Sequence, residues 1–318
     1  MPQLSSMSGV DTICLSVILR IVGGKPFVKR CLSRLVPQAV RCSAEVILPF
    51  DSTVSSIAEL KRDFPQVVFH DMGRVRIAGG FGSHAMAHDL YDRRTAAGLK
   101  IARGEIMALL EDYGVPDPDW CEQIIKAHRL PHGVIGGAVE HGGNGDLNWA
   151  VYFLDFGRYQ LPLREGPTNY LTDVNISYKR NALLSVSDLW TDEYNEVTIN
   201  WALAKKGIVL WQKPELVVRE DRGKLSVSDL IAERFAWGRL FAGKRVQSST
   251  LLLKGLYVVL SPVIPAVLLA RMTLKALKAR RNWVPFFRAL PLAVVLTLVW
   301  CAGEFMGYVT ARTEASRS

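Results

Sequence analysis

The chain has 318 residues, 49% of them hydrophobic, and a formal charge of +9. That length holds one large domain or two smaller ones with ample material for a core, which excludes a minimal binding module. The charge is local: residues 234–288 carry 11 Lys and Arg with no Asp or Glu, against 28 basic and 30 acidic residues elsewhere, and a basic stretch among long apolar runs points to anionic lipid head groups and away from nucleic acid.

Residues 1–10 are polar and lack a charged leader followed by an apolar core, so no secretory signal is expected. Residues 12–19 (TICLSVIL) read as a first buried strand, followed by a turn at Gly23-Gly24 and a helix over residues 27–35. Residues 44–48 form a second strand that ends in Pro49-Phe50-Asp51-Ser52-Thr53, then a helix over 54–62 and a strand over 66–69. This alternation of short strands and helices predicts a parallel sheet with helices on both faces. Residues 70–88, with Gly79, Gly80 and Gly82, read as a loop; His84 and His88 have metal-ligand spacing but no third partner, so an ordinary loop is preferred.

A helix over residues 89–102 carries Arg93 and Arg94, and the apolar run 106–110 fills a strand buried on both faces before Glu111 and Asp112. Open α/β sheets take ligands beyond the carboxyl ends of their strands, so these two carboxylates are placed to hold a metal ion and a phosphorylated ligand; they are equally suited to capping the next helix. A helix over 119–128, a strand over 133–139 and a Gly-rich loop entering an aromatic element over 141–153 follow, with no phosphate-loop or dinucleotide fingerprint. Asp192, Glu193 and Glu196 open a helix that Thr191 caps and Gly207 ends. The helix dipole accounts for the first two acids, whereas Glu196 lies a turn further on and is the better candidate for a chemical task.

The five cysteines, Cys14, Cys31, Cys42, Cys121 and Cys301, show no metal-ligand or disulfide-framework spacing, which fits a reducing compartment. Residues 251–270 and 289–309 are each about the length of a bilayer span. The first contains Lys254, Pro262 and Pro265, and the linker carries Arg271, Lys275, Lys278, Arg280, Arg281 and Arg288. Positive loops stay in the cytoplasm, so the expectation is an interfacial or re-entrant first segment and one full span, with a two-span hairpin as the other arrangement. Residues 233–245 (ERFAWGRLFAGKR) read as an interfacial amphipathic helix.

Taken together, FDST at 50–53, RTAAGLKIARGEIMALLED at 94–112, NISYKR at 175–180 and DEYNEVTINWALAKKG at 192–207, followed by Pro214, resemble the inverting glycosyltransferases of family 2 over residues 12–218. The resemblance implies an α/β fold: a Rossmann-like nucleotide-sugar-binding domain of the GT-A type over residues 1–232. A basic amphipathic connector at 233–250 and an apolar helical membrane region at 251–318 would follow. It implies transfer of a sugar from a nucleotide-sugar donor, with inversion, to a lipid-linked or membrane-proximal acceptor at the cytoplasmic face of the cell membrane. The implied cofactor is a divalent metal, Mg or Mn. Carried over, Asp51 resembles the nucleobase contact, Glu111 and Asp112 the acidic metal and diphosphate motif, and Glu196 the catalytic carboxylate, with Arg94 placed to contribute at the diphosphate. The arginine- and tryptophan-containing segment 233–245 resembles an acceptor-side helix. Three positions depart from the pattern: Arg20-Ile21-Val22 replaces a Pro-aromatic-Asn start, Phe50 replaces an acid, and Tyr113 takes the third place of the usual Asp-x-Asp. They keep open a second reading, a catalytically inactive membrane-anchored nucleotide-sugar-binding protein.

Overall fold

A computed structural model describes residues 13–75, 84–246 and 249–310, apart from the side chains of residues 84–86 and 244. Residues 1–12, the Gly79-Gly80 and Gly82 part of the expected loop, and the His84 side chain lie outside this description. The chain runs β1 (Leu15–Arg20), α1 (Lys25–Arg41), β2 (Glu45–Phe50), α2 (Ile57–Asp63), β3 (Val68–Asp71), α3 (His84–Ile101), β4 (Ile106–Glu111), β5 (Gly114–Pro116) and α4 (Trp120–Ala127). It continues with β6 (Val134–His141), α5 (Asp146–Asp155), β7 (Gly166–Pro167), β8 (Asn175–Lys179), α6 (Arg180–Leu184), α7 (Glu196–Lys205) and β9 (Leu210–Glu220). The last helices are α8 (Val227–Val246), α9 (Leu251–Leu260), α10 (Ile264–Ala279) and α11 (Trp283–Thr310).

The sheet order is β3-β2-β1-β4-β8-β6-β9-β5, with β7 on β9. Strands β3, β2, β1 and β4 are mutually parallel, and β8 lies antiparallel between β4 and β6, so the fold is a mixed α/β sheet. Alternation along each strand makes two cores. Leu15, Val17, Leu19, Ala108 and Leu110 pack with α1 and α4, through Val28, Leu32, Trp120 and Ile124. Ile18, Met107 and Leu109 point the other way and meet Leu99, Ile199 and Leu203 of α3 and α7. Successive side chains on a strand face opposite ways, which is why such runs are apolar throughout.

Two motif residues belong to this scaffold. A Cβ at Gly104 would come within 2.5 Å of the Ser16 amide nitrogen, so only glycine lets the turn before β4 lie against β1. Asn175 accepts from Trp120 Nε1 (2.9 Å) and donates to the carbonyls of Ala138 and Leu216 (both 2.8 Å), leaving no polar atom of a fully buried amide unsatisfied.

The chain divides into two compact units. The first comprises Met1–Val75, Tyr91–Ala138 and Arg164–Val218; the second comprises Arg76–Leu90, Val139–Leu163 and Arg219–Ser318. In the second, α11 packs on α8 and α5. Gly238 of α8 faces the Trp300 carbonyl, and Gly303 and Gly307 of α11 face the Phe235 and Arg239 carbonyls, all at distances that a Cβ would bring to 2.1–2.5 Å. Small residues at these positions let the two backbones touch. The segments Leu251–Ala279 and Trp283–Thr310 are each long and apolar enough to cross a membrane, judged by length and composition.

Candidate active site

The strand order turns back between β1 and β4, and the crevice beyond the carboxyl ends at such a point is where open α/β sheets take ligands. The register sets Arg20, the last residue of β1, beside Glu111, the last of β4. Arg20 is fully buried. Its guanidinium donates to Asp173 Oδ2 (2.6 Å) and to the Asp173 carbonyl (2.5 Å), and lies 4.3 Å from the Tyr91 ring centre. The Tyr91 hydroxyl donates to Asp173 Oδ2 (2.9 Å) and Glu111 Oε2 (3.2 Å). Burial opposes the charge on Arg20, but Tyr91, Asp173 and Glu111 around it outweigh burial and raise its pKa further. Sequence reading passed over Arg20, Tyr91 and Asp173 as site residues. Arg20 was visible only as a departure from a pattern, and Asp173 stands two residues before NISYKR.

Glu196 joins this cluster through Oε2, which accepts the Asp173 N–H at 3.2 Å. It is partly exposed. Burial, and then the neighbouring charge of Asp173, push its carboxyl well above the usual range, against the Asp173 amide and Arg20, which pull it down. Beneath it the hydroxyls of Tyr178 and Tyr194 share a 2.6 Å hydrogen bond, and Tyr178 donates to Asn200 Oδ1 (3.1 Å). The local helix start differs from expectation. Asn195 is the cap, its Oδ1 accepting from the Thr198 amide at 3.1 Å, so Glu196 is the first residue of α7 while Asp192 and Glu193 precede the helix. An Asn in extended conformation directly before the helix satisfies one of its free N–H groups.

The expected metal pair separates into two environments. Asp112 is fully buried. Its Oδ1 accepts from the amides of Val22 and Gly23 and its Oδ2 from those of Gly23 and Gly24, all at 3.0 Å. Successive N–H groups of this kind form an anion-binding nest, and here the protein's own carboxylate fills it. Burial pushes the Asp112 carboxyl up to about 7, although the amides pull the other way. Tyr113 packs edge-on against Phe27 (4.8 Å) and would touch any Cβ at Gly23. Among the described residues no group of three or more His, Cys, Asp or Glu is arranged to hold a metal ion. Asp112 is thus committed to the β1–α1 loop, and Glu111 is the member of the pair that joins the Arg20–Asp173 cluster, through Tyr91.

At the end of β2, Asp51 Oδ2 accepts from Arg94 Nε (2.7 Å) and Oδ1 from the Thr53 amide (2.9 Å). Arg94 also donates to the Ile21 carbonyl (2.8 Å) and Thr53 Oγ1 (3.1 Å). Burial raises the Asp51 carboxyl, but Thr53 and Arg94 outweigh it and hold it below the usual carboxylate range. Asp51 and Arg94 are thus one buried pair tying α3 to the ends of β1 and β2.

In the second unit the three arginines of the 233–245 segment part company. Arg234 is buried and makes a two-pronged pair with Asp155, both contacts 2.6 Å, with its guanidinium 5.6 Å from the Trp237 ring centre. Arg239 is exposed. Arg245 lies 4.5 Å from the Tyr257 ring centre and 3.7 Å from Glu304. Arg222 approaches Glu233 (3.4 Å) and the Trp237 ring (6.0 Å).

No protein-family model and no curated protein matches the chain. Among solved structures it is similar to residues 1–349 of S. aureus TarS in complex with UDP-GlcNAc. The identity is 12%, 93% of this chain and 89% of that chain are covered, and the TM-score is 0.45. It is also similar to a mycobacterial protein, at 14% identity over 72% of this chain and 74% of that one, TM-score 0.45.

Proposed function

We propose that the chain is an inverting glycosyltransferase of the family 2 type, attached to the cytoplasmic face of the cell membrane. It would take a nucleotide-sugar donor and a lipid-linked or membrane-proximal acceptor. The observation that carries this reading is Glu196: a partly exposed residue with a raised carboxyl pKa, at the carboxyl edge of the sheet, which accepts from Asp173 in the cluster that Asp173 forms with Arg20, Tyr91 and Glu111. In the proposed reaction Glu196 takes the proton from the acceptor hydroxyl as that oxygen bonds to the anomeric carbon. The bond to the nucleoside diphosphate breaks on the opposite face, and the diphosphate leaves with the electron pair. A raised pKa makes Glu196 a stronger base once ionised. Arg20 offsets the charge of Asp173, so Glu196 can ionise beside it. Glu111 stands at the diphosphate end, and the Asp51–Arg94 pair shapes the place for the nucleoside at the end of β2.

A panel of nucleotide sugars tests this by thermal stabilisation of the purified full chain, followed by transfer or hydrolysis assays with the donor that binds. One donor is expected to stabilise the protein and be turned over. Stabilisation without any turnover across acceptors would favour the non-catalytic binding protein that Phe50 and Tyr113 suggest. No stabilisation by any nucleotide sugar overturns the reading.

A further inference from the structure

The two apolar segments are long enough to cross a bilayer, but their packing inside the second unit divides that length. Near its start α11 is held by charged pairs: Arg281 to Glu140 (2.8 Å) and Arg288 to Asp146 (3.1 Å). Further along, Gly303 lies against the Phe235 backbone, one residue from Arg234, which is paired with Asp155. Those two levels are 15 residues apart, about 22 Å at the helical rise, whereas the hydrocarbon core is about 30 Å thick. Past Gly303 the helix has charged company again, since Gly307 touches the Arg239 backbone and Tyr308 accepts from Arg245 (3.1 Å). A crossing α11 would carry the charged helix α8 into the core with it, at a cost of roughly 2.5–3.5 kcal/mol for each central Arg or Lys. The α9–α10 segment is broken by the 3-10 turn Ser261–Val263, and from Lys254 to Arg271 it offers about 25 Å.

Each segment nevertheless shows one apolar face to the outside. On α11 it is a helical stripe of Val284 (70% exposed), Phe287, Val295, Leu298, Phe305 and Val309; on α9 and α10 it includes Leu252 (86%), Val259 (72%), Val267 and Leu274. Exposed Arg271, Lys275, Lys278 and Arg280 flank these stripes, with no acidic residue anywhere between positions 234 and 288. Apolar stripes bordered by cations alone complement an anionic lipid surface. We infer that α9, α10 and α11 lie in the plane of an anionic membrane leaflet, stripes immersed and cations at the phosphate level, without crossing the bilayer. This rests on the membrane attachment proposed above and specifies its geometry: the linker before α11 and the end of α11 stay on the side of the catalytic unit.

The test uses full-length protein carrying Lys278→Cys or Thr310→Cys in spheroplasts of a bacterial host, with wild type as the blank for the native cysteines. A membrane-impermeant maleimide is expected to label neither position until the membrane is dissolved in detergent, and both afterwards. Labelling of Lys278→Cys in intact spheroplasts would mean a two-span hairpin, and labelling of Thr310→Cys alone a single span; either overturns the in-plane arrangement. Flotation of the purified chain with phosphatidylcholine vesicles, with and without phosphatidylglycerol, tests attachment separately. Binding is expected with the anionic lipid, about thirtyfold weaker for the Lys275→Gln, Lys278→Gln pair. Equal binding to phosphatidylcholine alone overturns the role of the cations. A chain that floats with neither, or self-associates in detergent-free solution and does not float, overturns membrane attachment itself.

Discussion

Asp112→Asn separates a loop-holding carboxylate from a metal ligand. The wild-type side chain receives four N–H contacts from Val22, Gly23 and Gly24. Asparagine offers one acceptor oxygen, so the two contacts to the replaced oxygen are lost and an amide NH2 faces backbone donors. Two hydrogen bonds to a charged group are worth about 3–6 kcal/mol together, and relief from burying a charge offsets most of that, since burial outweighs the amides in setting this carboxyl, leaving a loss of about 1–2 kcal/mol. For a chain of this size that is a fall in Tm of roughly 1–3 °C. The measurement is thermal unfolding by tryptophan fluorescence near pH 8.5, above the value of about 7 for this carboxyl, in excess chelator. Hydrogen exchange at Gly23 and Gly24 should speed up in the variant. An unchanged Tm in chelator, with wild type but not the variant gaining stability from Mn or Mg, would refute the argument and restore Asp112 as a metal ligand.

Glu196→Gln should lower turnover by about 100-fold or more with donor affinity little changed, because a base acting on the acceptor contributes mainly to the transition state. Glu193→Gln should keep most activity; the reverse pattern would assign the base to the wrong carboxylate. Asp173→Asn removes a like charge beside Glu196, so the pH at which turnover rises, where Glu196 loses its proton, should move down; an unmoved acidic limb in a variant of normal Tm would disprove the coupling. Asp155 is half-buried, and desolvation alone would raise its carboxyl, but Arg234 holds it below the ordinary value. Its stabilising contribution is therefore complete above about pH 4 and is lost as pH falls through the depressed folded-state value. Asp155→Asn, which strands a buried guanidinium, should cost about 3–5 kcal/mol at pH 7, and the gap to wild type should shrink in acid; a gap that stays constant from neutral to acid pH contradicts the pairing.

Strands β1, β2 and β4 were legible because burial on both faces demands unbroken apolar runs, and the helices after them because their apolar residues recur with helical spacing. The antiparallel β8 was not. Its residues Asn175, Ser177 and Tyr178 are polar or amphipathic yet buried, each satisfied by partners that sequence cannot show. Glu196 was singled out, but its helix was started too early, because Thr191 was given the capping role that Asn195 takes. Helix α3 begins at His84, inside the expected loop. The site failed to emerge as a unit because its geometry is made by long-range pairs: Arg20 meets Asp173 across 153 residues of chain. Asp112 carries a related lesson: an acid at a strand end is plain in the sequence, whereas the amides that both of its oxygens accept from are not.

The glycine contacts between α8 and α11 bear on how this protein can be handled. A stop codon at residue 251, the obvious cut for a soluble enzyme, would strip the cover from Gly238, Ala242 and Val246 and leave Arg245 without Glu304. The fragment would then show a raw helix face to water and precipitate rather than dissolve. Cutting before α8 instead would leave the half-buried Asp155 without its arginine. Purification should keep the whole chain and replace the bilayer with detergent or a nanodisc, because no single cut separates the lipid-facing helices from the scaffold they complete.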